Sequence, residues 1–296
     1  MIGNPWSDKS GFRLKRPAYR QAGYRNDKRG KPRGIIPQGI QLRNIKLIIQ
    51  YDGTDYSGWQ VQVKEATIQG LLEKALFTVS GEQTRIKGAG RTDAGVHAFE
   101  QVAAFSTGSD LEPDVFVRAF NANLPDDIRV ISAEKVSEDF DPRYSAANKT
   151  YSYLIAGVGP YSVFLKRYSW HMPYQLNCES MNSASGYLIG KHDFSSFRAS
   201  GCSSKNPVRK IISIKVQQMN YIDFMSFRFE VPIIKISIQA DAFLRHMARN
   251  IVGTLFEIGR GKIQPEKIKD ILEAKDRRKA GKTAPACGLF LEKIEY

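Results

Sequence analysis

Thr84-Arg85-Ile86-Lys87-Gly88-Ala89-Gly90-Arg91-Thr92-Asp93-Ala94-Gly95-Val96-His97-Ala98 decides the fold, because of what stands on either side of its glycines. Gly88-x-Gly90 opens like a dinucleotide-binding turn, but Asp93 occupies the third glycine position. Beyond the loop, Ala98–Ser106 reads as a strand, so no helix N-terminus follows to hold a phosphate. No GxxxxGK[ST] is present either. Before the loop, Thr84–Lys87 reads as a short strand. The glycine stretch therefore reads as a joint between two strands, which disfavours the first turn of a nucleotide-binding βαβ unit.

Working outward, Ile45, Leu47, Ile49 and Tyr51 show the alternation of a half-buried strand. Ile68, Leu71, Leu72, Ala75, Leu76 and Val79 share one helical face, with Thr67 as cap and Gly81 as stop. Pro113 opens a helix to about Asn121, and Ile128–Val136 is a strand. Strand, helix, two strands, helix, strand is the split βαβ order of ferredoxin-like sheets. The second half repeats it in outline. Thr150–Ala156 is a strand, and a helix Cys178–Ile189 starts at the cap Asn177 and stops at Gly190. Strands follow over Val208–Met219, Phe224–Val231 and Ile233–Ala240. Asp241 is expected to cap a long helix, Ala242–Ile258; a shorter helix runs from Pro265 to Ala274, and Leu289–Glu295 closes the chain as a strand. The expected fold is α+β, with lobes at 44–147 and 148–296 and no residue-level repeat between them.

The 296 residues are 42% hydrophobic and 25% charged, the composition of an ordinary soluble protein with a sizeable core. No apolar run is long enough for a membrane span, and no secretory signal opens the chain. Cys178, Cys202 and Cys287 form no CxxC pair, and the four histidines form no HxH or HExxH pair. Neither a disulfide framework nor a metal site is expected, and the default compartment is reducing and cytoplasmic. Charge is the outlying property. Residues 1–43 hold eleven Lys or Arg against Asp8 and Asp27, which is +9 of the chain's +14. Rich in Gly and Pro, this stretch reads as a disordered basic arm. A basic arm on a mildly basic body points to a polyanion, most simply nucleic acid.

Three groups are candidates for chemistry. Asp93 is either a turn residue bonding its own backbone or a carboxylate offered to a ligand. Arg91 and His97 beside it favour the second, since a nearby guanidinium favours the ionised, nucleophilic form of a carboxylate. Arg245 and Arg249 stand four apart around His246, either as a solvated stripe or as cations aimed at phosphate or at Asp93. Tyr144, Tyr151 and Tyr153 are interleaved with Arg143 and Lys149, a pattern that suits strand packing or stacking on unpaired bases. No RNP1 sequence is visible.

Four motifs together resemble the TruA family of tRNA pseudouridine synthases. They are Tyr51-Asp52-Gly53-Thr54-x-Tyr56-x-Gly58-Trp59-Gln60, the stretch Gly88–His97, Phe243-Leu244-x-x-Met247-x-Arg249-Asn250-x-x-Gly253 and Thr283-Ala284-Pro285-Ala286-x-Gly288-Leu289. The resemblance covers residue 44 to the end and leaves out the arm. It implies the pseudouridine synthase fold, two ferredoxin-like, RRM-like lobes with largely antiparallel sheets flanking a central cleft. It implies uridine isomerisation in the anticodon arm of tRNA, nominally at positions 38, 39 and 40, without a cofactor, by a homodimer. It makes Asp93 the essential aspartate, Tyr151 the residue that stacks on the uracil and a candidate for proton transfer, and Arg249 the basic partner of the aspartate. Arg91 is implied to hold the flipped nucleotide and Leu289 to line the uracil pocket. Arg209 and Arg245 are expected to contact RNA. Two alternatives remain: a non-catalytic RNA-binding protein on the same scaffold, and a nucleotide-binding enzyme using the glycine loop.

Overall fold

The computed structural model describes residues 42–158, 163–224, 226–230 and 232–296; apart from Leu42 and Arg43, the expected basic arm lies outside them. The first half runs β1 (Arg43–Tyr51), α1 (Ile68–Ser80), β2 (Lys87–Gly88), β3 (His97–Thr107), α2 (Pro113–Asn123) and β4 (Ile128–Val136). The second runs β5 (Asn148–Ala156), β6 (Trp170–His171), α3 (Cys178–Gly186), β7 (Gly190–Asp193), β8 (Val208–Met219), β9 (Ile222–Phe224), β10 (Phe227–Phe229), β11 (Ile233–Ala240), α4 (Met247–Gly259), α5 (Lys267–Ala274) and β12 (Leu289–Glu295). The α+β expectation holds.

One sheet runs through both halves, in the order β4-β1-β3-β12-β5-β11-β8-β7. The last strand makes it continuous. β12 lies parallel to β3, with Phe290 opposite His97, and antiparallel to β5, with Leu291 opposite Tyr151. The main-path neighbours otherwise pair antiparallel. On β1 the residues Ile45, Leu47, Ile49 and Tyr51 are all buried, as the alternation requires. Thr67 caps α1 by accepting from the Gly70 N–H, and Gly81 ends it in the left-handed conformation. Asn177 caps α3 in the same manner through Ser180.

Four expectations need correction. Only Lys87–Gly88 pairs as β2, because Glu73 Oε1, not a neighbouring strand, takes the Ile86 N–H. The helix from Cys178 stops at Gly186, and Gly190, at φ 109, opens β7 instead of ending the helix. The strand expected over Phe224–Val231 is a hairpin in its described part, with β9 pairing β10. Asp241 caps nothing. Its Oδ1 accepts from the N–H groups of Lys210 and Ala242, and α4 starts only at Met247. The interruption sits at His246, whose φ of 60 and ψ of 7 break the helical run.

Candidate active site

A cleft of about 910 Å³ opens where β12 and β5 meet the glycine loop and the start of α4. The sequence-predicted residues Arg91, Asp93, Tyr151, Arg209, Arg245, Arg249 and Leu289 all line it. Eight Lys or Arg side chains face it (Arg85, Lys87, Arg91, Arg143, Lys149, Arg209, Arg245, Arg249) against Asp93 and Asp141. A concave, positive wall of this kind concentrates a polyanion.

The aromatic motif at 51–60 forms the back of the glycine loop. The Trp59 N–H donates to the Thr92 carbonyl at 3.0 Å, and the Tyr51 and Thr92 hydroxyls lie 2.8 Å apart. Gly58 has φ 88, and a Cβ there would sit 2.6 Å from the Thr92 carbonyl oxygen, so only glycine allows this approach. On the other side of Asp93 the Gly95 N–H donates to the Tyr56 carbonyl at 3.3 Å, so the loop is clamped on both sides. His97, expected beside the carboxylate, faces away from the cleft. Its Nδ1 accepts from the Gly53 N–H at 3.1 Å, while Nε2 donates to the carbonyls of Arg167 and Cys287 at 3.0 and 3.2 Å. Burial pushes its pKa down, against the pull of the adjacent Asp52 carboxylate. His97 is a structural pin that ties the first half of the chain to the second.

Arg249, not Arg91, meets the aspartate: its Nη1 lies 3.1 Å from Asp93 Oδ2. Its Nε donates to the Ala284 carbonyl at 2.8 Å, and its own carbonyl accepts from the Ala284 N–H at 3.1 Å. The segment Gly281–Ala284 is pressed onto α4 at Gly253, where a Cβ would lie 1.7 Å from the Lys282 carbonyl oxygen. Asn250, fully buried, completes the support. It donates to the Phe197 carbonyl at 2.8 Å and accepts from Arg277 Nη2 at 2.9 Å and Thr283 Oγ1 at 2.7 Å. The motifs at 243–253 and 283–289 are therefore one packed unit that aims a guanidinium.

Because α4 begins at Met247, Arg245 and Arg249 do not share a helical face. Arg245 comes from the preceding turn and donates to the Ser200 carbonyl at 3.2 Å. Arg209 holds its own loop, donating to the Asn206 carbonyl at 3.0 Å and to Ser204 Oγ at 2.8 Å, with its Nε buried and unpartnered. Tyr151 is 7% exposed, and its ring meets Phe243 edge-on at 4.8 Å. Burial, with Tyr51 and Asp93 near, raises its pKa and keeps the phenol protonated. Leu289 opens β12 at the cleft.

Two cleft residues escaped the reading of the sequence as site residues. His246 Nε2 lies 3.4 Å from Asp93 Oδ2. Lys149, 8% exposed, donates from Nζ to the Ala89 carbonyl, and burial, helped by the nearby Arg143 charge, lowers its pKa to about 8. The signal for Lys149 was strand alternation, which puts 149, 151 and 153 on one side of β5. Among the described residues no cluster of three or more His, Cys, Asp or Glu forms a metal site, and no helix is long and apolar enough to cross a membrane.

The chain is similar to known proteins over most of its length. Residues 47–145 and 184–296 match the family model described as tRNA pseudouridine synthase. Proteins named tRNA pseudouridine synthase A from Thermoanaerobacter sp. (strain X514) and Acetivibrio thermocellus are each 44% identical over 255 residues. The one from Pelobacter propionicus is 41% identical over the same length. Each alignment spans 86% of this chain and 100% of the relative. The chain that aims Arg249 at Asp93 across a basic cleft belongs to the tRNA pseudouridine synthase family.

Proposed function

We propose that this protein isomerises uridine to pseudouridine in the anticodon arm of tRNA, at one or more of positions 38, 39 and 40, with Asp93 as the catalytic aspartate. The Asp93–Arg249 pair on the wall of a basic cleft, beside the Tyr151 ring, carries the reading. The reaction breaks the N1–C1′ bond, turns the uracil and forms a C5–C1′ bond; a proton leaves C5 and N1 gains one. It needs a carboxylate facing the sugar and a pocket in which the detached base can turn. The target base must first leave its stack, at a cost of a few kcal/mol, and an aromatic surface offsets that cost. Tyr151 serves as that surface. A phenol held protonated suits stacking and hydrogen-bond donation better than it suits the task of a base. Leu289 lines the uracil side, Arg91 holds the flipped nucleotide, and Arg209 and Arg245 take backbone phosphates.

The test is tritium release from tRNA labelled at uridine C5, for wild type and Asp93→Ala, with tRNA affinity measured alongside. Release by wild type alone, with binding kept by both, is expected. Equal release from both would remove Asp93 from the chemistry. Binding without release by either protein would return the non-catalytic RNA-binding alternative. The reading extends to a homodimer whose tRNA touches both subunits, working in a reducing cytoplasm. Light scattering with and without tRNA checks the stoichiometry.

A further inference from the structure

Asp93 is gripped on one oxygen only. Arg249 Nη1 donates to Oδ2 at 3.1 Å, His246 Nε2 stands 3.4 Å from the same oxygen without a hydrogen bond, and no hydrogen bond or ion pair among the described residues reaches Oδ1. His246 reaches this place through a backbone that side chains rarely adopt. Only it and Lys275 have positive φ among the described non-glycine residues, and Lys275 is an ordinary left-handed helix end. His246 precedes the first residue of α4, where a capping residue is normally extended, and its side chain makes no capping bond. Helix capping therefore does not account for the strain. The strained backbone brings the imidazole to the carboxylate and keeps it at the cleft.

Resting on the role proposed above for Asp93, we infer that His246 is a second positioning residue: with Arg249 it fixes Oδ2 and so leaves Oδ1 as the oxygen offered to the ribose. The imidazole does this neutral. The groups facing it are Asp93 from the glycine loop, Arg249 from α4, Arg245 from its own turn and Arg277 from the turn after α5. Burial and the three guanidiniums lower its pKa against the opposing pull of Asp93. Acidification below that lowered value makes it an imidazolium, draws the carboxylate into a closer ion pair and withdraws it from the sugar. The activity then falls on the acid side of neutrality at a pH set by residue 246.

The test compares wild type, His246→Gly and His246→Gln in single-turnover pseudouridine formation on anticodon-arm RNA across the acid range. Glycine accepts the backbone without strain, so loss of fold does not confuse the result; glutamine replaces Nε2–H with an amide donor that does not titrate. His246→Gly is expected to lower the rate constant roughly tenfold with little change in RNA affinity, as a displaced reacting group does. His246→Gln is expected to restore most of the rate and to lose the acid decline of wild type. Wild-type rate and pH profile in His246→Gly would overturn the inference, as would an unchanged acid decline in His246→Gln. Neither result touches the proposed reaction, which stands or falls with Asp93→Ala.

Discussion

Arg249 divides its guanidinium between two tasks, with Nε on the Ala284 carbonyl and Nη1 on Asp93. A lysine has one point of charge and no fork, so it cannot do both. Arg249→Met is expected to reduce the rate of pseudouridine formation by about 10²-fold or more, the usual loss when an electrostatic contact of an active site is removed. Arg249→Lys should recover only part of it, as single-turnover kinetics at saturating RNA would show. Lys149 makes a different prediction, about stability. Its amine titrates at about 8 in the folded chain but at 10.5 when unfolded. Between those values the unfolded state binds more protons, so folding stability rises with pH across that window and is insensitive to this group below it. Thermal unfolding at about pH 7.5 and 9.5 should show wild type gaining stability relative to Lys149→Met, in line with the linkage relation. Equal shifts in both would show that Lys149 is solvated. These residues differ in how well the sequence announced them. Asp93 stood out because glycines surrounded it, while His246 carried no mark, since nothing in Phe243-Leu244-Arg245-His246-Met247 shows that residue 246 leaves the helical region.

The elements around the site explain which expectations held and which failed. β1, β3, β4, α1 and α2 follow their periodicity because each buries one face against a neighbour, and only single residues at the cleft side, such as Tyr51 and Gln69, turn to the site. The helix expected from Ala242 starts only at Met247, because the apolar pattern 243–247 serves two masters. Phe243 packs on Tyr151, and Leu244 and Met247 are buried in the core, yet the backbone between them turns to deliver Arg245 and His246 to the cleft. Tertiary demand overrode a local helical preference there. The seat of α4 under Gly281–Ala284 was invisible to pattern reading, since it joins segments far apart in the chain. It yields a sharp expectation. Asn250→Ala leaves the Phe197 carbonyl, Arg277 and Thr283 short of a partner in a buried place, at a cost of about 2–3 kcal/mol. Gly253→Ala forces the Lys282 carbonyl away and loosens the Ala284 contacts of Arg249. Both should lower the melting temperature, but Gly253→Ala should also lower the rate of isomerisation while leaving RNA affinity near that of wild type. Retention of full activity by a folded Gly253→Ala protein would show that Arg249 is aimed by other contacts.

Across the whole molecule, the sheet brings the two halves of the site together. Asp93 comes from the first half and Arg249 and Leu289 from the second, and β12 passes between β3 and β5 to put them on one cleft. Leu289 lies on that strand, so this wall of the cleft forms only when β12 sits at the centre of the sheet. On the proposed reading, the cleft's own charges draw a polyanion toward Asp93, and the basic residues of the N-terminal stretch are a second, sequence-remote source of attraction. Residues 1–41 carry ten Lys or Arg against Asp8 and Asp27. Arg43 is not part of that arm. It pairs with Thr107 at the start of β1, and its guanidinium donates to the carbonyls of Ser109 and Leu111. A truncation that keeps Arg43 and its contacts therefore ends at residue 41. Removing the arm should leave the single-turnover rate unchanged at saturating tRNA, since none of the residues assigned to the cleft belongs to it. Affinity should fall most at low salt, where screening is weakest. The slope of log Kd against log salt should also shrink, by ~0.9 for each phosphate the arm no longer neutralises on duplex RNA of B-DNA-like charge density and by less on single strands. Equal affinity and equal slope for the full chain and the truncated one would show that the tRNA is held by the cleft alone.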